Sequence, residues 1–217
     1  MSKATVPAVA ESHELAPQRQ DSGFSMSDIE IPKLNVIQKM SQIDGPVGSV
    51  VIDKDAVLLE AEAKIPVIVI AAKKRFKEDV LFGSDTIPRI VSTQAEADVL
   101  AEESEYGIME FAEIVLLIPQ PAGADDELFP YPIGDNNYQI ARITVQKDAY
   151  RLTYKRLFTF QTFNPDVNLA ARLWQFGTEL MSNGKYSWYV PTLSITKDEA
   201  SPEALAFAAR LGNGGGK

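Results

Sequence analysis

Apolar residues in this chain recur chiefly at every second position, the spacing of half-buried strands, and helical spacing is confined to a few short stretches. Alternation begins at Asp28-Ile29-Glu30-Ile31-Pro32, and residues 34–40 (LNVIQKM) read as a first strand or short extended segment. Gly45-Pro46 marks a turn, and residues 47–52 read as a second strand. The clearest strand pattern covers residues 65–77. Strict alternation puts Ile65, Val67, Val69, Ala71, Lys73, Arg75 and Lys77 on one face, with Pro66, Ile68, Ile70, Ala72, Lys74 and Phe76 on the other. The first half is apolar on both faces, as a central strand requires, and the second half emerges as a basic stripe. Residues 108–118 and 138–146 supply two more strands.

The strongest local signal is a hairpin of residues 174–181 and 186–196, with Asn183-Gly184 as a two-residue turn. That turn predicts a register in which Met181 faces Tyr186, Glu179 faces Trp188 and Gly177 faces Val190. Met181, Tyr186, Trp188 and Val190 then share one face, with Lys185 at the turn. Trp174, Phe176, Leu180, Tyr189 and Leu193 share the bulkier face, which is expected to be core.

Helical signals are fewer. Residues 93–105 read as a short acidic helix, with Thr93 and Glu96 forming a capping box and Gly107 as the stop. Residues 148–163 (DAYRLTYKRLFTFQTF) are ambiguous: the helical reading aligns Lys147, Arg151 and Lys155, whereas the strand reading fails at Arg156. Helix is the better fit. A last, Ala-rich helix opens at Ser201-Pro202-Glu203 and is expected to end before Gly212. Residues 1–27 read as a disordered tail, 119–137 as a long acidic loop, and 212–217 as a flexible tail. The order implies one β-led α+β domain over residues 28–211: a small barrel or strongly curved antiparallel sheet with an acidic helical insertion (78–136) and a C-terminal helix.

Charge changes the picture more than composition does. The chain of 217 residues has a formal net charge of −9, yet residues 78–136 alone carry 14 acidic side chains against Arg89. Residues 137–190 are net +4 and hold 11 of the 19 aromatic residues. A segregated charge distribution allows one face to attract phosphates while another stays acidic. The acidic block also fits a plain solvated surface that keeps the protein soluble.

Enzyme chemistry finds little support. There is no cysteine, which excludes disulfides, thiolate nucleophiles and Cys-based metal sites, and the only histidine, His13, lies in the tail. Neither GxxxxGK[ST] nor a GxGxxG following a strand occurs. The acidic runs Glu102-Glu103 and Asp125-Asp126-Glu127 have the pattern of a solvated face, so neither a catalytic nor a metal site is expected, and no cofactor. No stretch approaches the ~20 apolar residues of a membrane span. The first residues lack a secretory pattern, so the expected location is the cytoplasm, that of the host if the chain is phage-encoded.

What remains is a binding surface. Exposed rings stack on bases for ~1–3 kcal/mol each, and cations between them hold the phosphates. Tyr186 and Trp188 are the candidate stacking platforms, with Lys185 beside them. Lys73, Arg75 and Lys77 are candidate phosphate contacts on a second strand, although a solvated strand end would look the same. Tyr150, Arg151, Tyr154 and Lys155 join them if their helix borders the groove.

The segment from Ile31-Pro32 through Leu34 and Gln38 to Ser41 carries an I-P-x-L-x-x-x-Q-x-x-S pattern and resembles the opening of a group of bacteriophage replication-module proteins. The later order is also similar: a strand with a basic exit, an acidic insertion, and a hairpin with Lys185-Tyr186 and Trp188 leading to a proline. The resemblance implies a phage single-stranded-DNA-binding protein with an OB-type barrel, one that coats and protects strands in replication or recombination without strong sequence preference. Many members carry cysteines in the middle section; their absence here removes any zinc-stabilised insertion. The acidic C-terminal tail used by many such binders is also missing, and residues 78–136 could take its place in recruiting replication or recombination proteins. Self-association stays open. The alternative is a phage structural or regulatory protein that binds a protein partner through that acidic region.

Overall fold

Runs of β-branched residues decide where the sheet forms. The computed structural model describes residues 30–53, 56–81 and 83–213. In its first half lie β1 (Leu34–Val36), β2 (Val50–Ile52), β3 (Ala56–Leu59), β4 (Lys64–Glu78), β5 (Ile90–Val91), α1 (Gln94–Glu103) and β6 (Ile108–Pro119). The second half adds β7 (Tyr131–Ile133), β8 (Asn136–Gln146), α2 (Lys147–Leu152), α3 (Tyr154–Phe163), β9 (Arg172–Ser182), β10 (Ser187–Glu199) and α4 (Pro202–Asn213). The expected N-terminal tail lies outside the described residues. The final helix runs through Gly212 to Asn213 instead of stopping before it. No helix among the described residues is long and apolar enough to cross a membrane.

The architecture is α+β and mostly antiparallel. The large sheet has the order β10-β9-β4-β6-β8-β7, with β5 added to the end of β4, and β1-β2-β3 form a small sheet. β4 is central, as its doubly apolar first half requires: Val67 pairs with Trp174 of β9, and Ile68 with Leu117 of β6. The large sheet does not close, since β10 and β8 share no ladder. The barrel form of the sequence expectation is thereby corrected in favour of an open antiparallel sheet.

Each face of this sheet has its own cover. On one, Val67, Val69, Ile114, Leu116, Trp174 and Phe176 pack against Leu34, Val50 and Ile52 of the small sheet and Leu157 of α3. On the other, Ile68, Leu117, Tyr138 and Ile140 pack under Ala204 and Ala208 of α4. Trp174 is the anchor of the first layer. It is 1 % exposed, its indole N–H donates to the Leu169 carbonyl, and Phe160 meets it edge-on at 5.5 Å. Burying such a ring contributes ~1.5–3 kcal/mol, with ~0.5–1.5 more from the aromatic pair.

Four expectations need correction in detail. A bulge interrupts β4, because Val69 faces Leu116 while Ala71 faces Val115, leaving Ile70 as the extra residue. One inserted residue reverses every later side chain. Lys73, Arg75 and Lys77 therefore share the face of Ile68, not that of Val67, and Lys74 and Phe76 take the other side. Second, the hairpin pairs Trp188 with Met181, Glu179 with Val190 and Thr192 with Gly177, two residues away from the Asn-Gly expectation. The Asn183 carboxamide oxygen accepts the N–H groups of Lys185 and Tyr186, which stretches the turn to four residues. A shift of two preserves parity, so Trp174 and Phe176 are still core. Third, residues 148–163 are helical but broken at Thr153, whose hydroxyl donates to the Ala149 carbonyl. The first strand is also shorter than residues 34–40, ending at Val36.

Within residues 78–136, β6 pairs along β4, and the excursion through Arg89 and α1 that precedes it is fastened to the end of β4 at a buried carboxylate. Glu78 accepts the Ser104 hydroxyl at 2.6 Å, the Arg89 backbone N–H at 2.8 Å and the Arg89 Nε at 3.0 Å. These bonds, that of Ser104 foremost, hold the Glu78 carboxyl down to about 2. A carboxylate with a lowered folded-state pKa stabilises at neutral pH, and that contribution is lost as pH falls from ~4.3 towards the folded value. Hydrogen-exchange protection of residues 89–104, corrected for intrinsic rates, should therefore drop between pH 5 and about pH 2. Glu78→Gln should start from the lower protection at pH 7 and lose most of this pH dependence.

Candidate nucleic-acid interface

Where the two edges of the large sheet fail to meet, a groove of about 650 Å³ opens between β1, the end of β8 and the start of β10. Its floor is apolar, with Leu34, Val36, Ile143 and Val190. Along one wall lie Trp188 and Tyr189; Lys33, Lys77 and Lys147 reach it from three different elements. Trp188, partly exposed, also borders a second cavity of about 210 Å³ together with Gln38, Lys39 and Leu180, so the ring stands between two recesses.

The electrostatics favour an anion. Burial lowers the pKa of the Lys77 ammonium, and the neighbouring Lys147 and Lys33 lower it further, while Asp79 alone opposes them. Lys147 lies 3.8 Å from the same Asp79. Asp79 thus serves both Lys77 and Lys147, and Asp148 is the one carboxylate among the residues that line the groove. Lys147 also sits at φ 53°, the left-handed region that a lysine enters at a cost, where β8 passes into α2 without a loop. Strain of that kind is concentrated at working sites.

Tyr189 is held from two directions. The Gln38 side chain donates to its carbonyl at 2.7 Å and accepts its N–H at 3.1 Å, doing for the β10 edge what a neighbouring strand would do. Its ring lies over Gly48, at φ 90°, where an added Cβ would come within 2.7 Å of the ring. The I-P-x-L-x-x-x-Q-x-x-S residues are accounted for by this same segment. The Pro32 carbonyl accepts the Arg142 N–H of β8, Leu34 is 2 % exposed, and the Ser41 hydroxyl accepts the Gln38 N–H.

The residues singled out in the sequence divide into five groups, the last of them the pair Tyr150 and Tyr154. Lys77 and Trp188 meet in the groove. Lys185 and Tyr186 occupy the hairpin tip beyond it, the ammonium 5.1 Å from the centre of a ring that is 61 % exposed. Lys73 and Arg75 lie on the α4 side of the sheet, where Arg75 is 3.4 Å from Glu113, a carboxylate it shares with Arg142 at 3.9 Å. Arg151 and Lys155 border a separate apolar recess, and Arg151 lies 3.6 Å from Asp148.

Tyr150 is a correction. It is 6 % exposed and stacked on the half-buried Tyr154 at 5.1 Å, with Lys74 and Glu110 alongside, so it is core and offers no platform. Burial raises the pKa of both phenols. Lys33 and Lys147, which also line the groove, were not among the candidates. Their place in the groove depends on the crossing of the N-terminal segment and on the abrupt β8–α2 turn, and the helical line of Lys147 with Arg151 and Lys155 gave no sign of either.

Among the described residues, no group of three or more Asp, Glu or His side chains is arranged to hold a metal ion. Comparison of the chain with protein-family models, curated proteins and solved structures finds no match.

Gln38→Ala should leave the Tyr189 N–H and carbonyl without partners, costing about 1–3 kcal/mol in urea unfolding. Glu at this position should rescue little, because it still accepts from the N–H but sets an anion against the carbonyl. Tryptophan emission should shift in both variants as the wall beside Trp188 loosens.

Proposed function

We propose that this protein binds single-stranded DNA without strong sequence preference, coating and protecting it during phage replication or recombination. The observation that carries the proposal is the convergence of the Trp188 ring with Lys33, Lys77 and Lys147 in one open groove. A strand lying there stacks a base on Trp188 while its phosphates neutralise the three lysines. The second recess on the other side of Trp188 gives room for the neighbouring nucleotide, and Tyr186 and Lys185 extend the path along the hairpin. Stacking needs only a π-face, which every base offers, so the contact is indifferent to sequence. The groove's apolar floor and the strain at Lys147 agree with a site shaped for a ligand. For the fold, we take the open antiparallel sheet, with its gap spanned by the N-terminal segment, as an elaborated, unclosed variant of the OB type.

Titration with labelled oligo-dT at two salt concentrations tests this reading. Trp174 is buried, so quenching should report Trp188. Trp188→Ala should abolish the quenching and weaken binding by about 1–3 kcal/mol. Alanine at Lys33 or Lys147 should each reduce the slope of log K against log salt by about 0.7. No mobility shift of the wild type at low salt overturns the proposal.

A further inference from the structure

Two further apolar recesses are of similar size and opposite charge. The first, about 680 Å³, lies between β5 and α1, where Ile90 and Val99 are 53 % and 56 % exposed. Its rim carries Glu96 and Glu103, and its one cation, Arg89, is already held by Glu78 at 2.9 Å and Glu103 at 3.2 Å. The second, about 530 Å³, lies between α2–α3 and β10, floored by Phe160, Trp174 and Ile195 and rimmed by Arg151, Lys155 and Arg156. Ile195 is 44 % exposed, and Asp148 is the only carboxylate within 4 Å of any of those three cations among the described residues. The two share no residue.

We propose that the protein associates with a second copy of itself, the acidic recess at Ile90 and Val99 of one copy seating against the basic recess at Arg151, Lys155 and Ile195 of the next. Each apolar floor has an exposed aliphatic side chain to cover, and each rim has the charge that the other lacks. A contact between two unlike patches leaves one of each unused on a pair, so it either closes into a small ring or repeats head to tail. Recesses of this size bury little beside the ~1,200–2,000 Å² of a stable interface. The association is therefore weak and salt-sensitive, with exposed charges screened beyond ~10 Å at 0.1 M. It stands apart from strand binding, but where copies lie side by side on one strand it makes that binding cooperative.

Sedimentation velocity of the full chain without DNA tests it. The sedimentation coefficient of the wild type should rise with concentration at low salt, and the rise should vanish at ~0.5 M salt. Val99→Glu and Ile195→Lys each place a like charge in one recess at an exposed position. Each alone should weaken association at least tenfold with unchanged far-ultraviolet dichroism. Mixed together they should form a pair and nothing larger, because one intact recess of each kind remains. A wild type that stays monomeric at every concentration overturns the proposal. So does loss of assembly in only one variant, or a mixture that fails to pair. None of these results bears on the oligo-dT titration, which reads the Trp188 groove.

Discussion

An open sheet has two edges whose backbone groups need partners, and this fold answers that need with a single strap of chain. The large sheet stops at β10 on one side and, beyond the short β7 that covers only residues 136–138, at β8 on the other. The N-terminal segment crosses the gap, bonded through the Pro32 carbonyl to Arg142 at one edge and through the Gln38 side chain to Tyr189 at the other. Edges left bare invite pairing with other chains. Here the same strap that satisfies them also fixes the width of the groove, supplies Lys33 to its rim and Leu34 to its floor, and sets Tyr189 over Gly48. Core packing, edge protection and the candidate site thus rest on one crossing.

Much of the local structure was legible. The capping box at Thr93 and Glu96 formed as its residue types require, with the Thr93 hydroxyl accepting the Glu96 N–H at 3.3 Å. The doubly apolar run at 65–70 marked the central strand, and the hairpin's core face was assigned correctly at Trp174, Phe176 and Leu193, though Leu180 on that face is 51 % exposed and Val190 on the other is buried. What failed were features that depend on counting. One extra residue at Ile70 turned the basic stripe over, and two extra residues in the Asn183 turn slid the register. Periodicity reports spacing along one strand, and it has no means of registering an insertion made to suit a neighbour.

The lining of the candidate groove was legible by halves for a related reason. Trp188 and Lys77 could be nominated because each stands in a local pattern. Lys33 stands in none, and Lys147 stood only in a helical line with Arg151 and Lys155; the two approach Lys77 only when three segments converge. Tyr150 failed in the opposite direction. On a helix rich in rings and cations it resembled a platform, but the helix turns that face inward, leaving Tyr150 6 % exposed and stacked on Tyr154 beside Glu110, where its ring serves packing. A cluster of types is evidence of a surface only when the backbone leaves that surface uncovered.

The strap also alters what its short sequence pattern means. Ile31, Pro32, Leu34, Gln38 and Ser41 are spent on packing and on backbone bonds, and none of them offers a cation or an exposed ring to a ligand. The pattern is therefore a signature of architecture, transferable to any chain whose sheet is left ajar and must be laced shut. Two proteins bearing it should share the lacing even where the grooves beside it have diverged to hold unlike molecules.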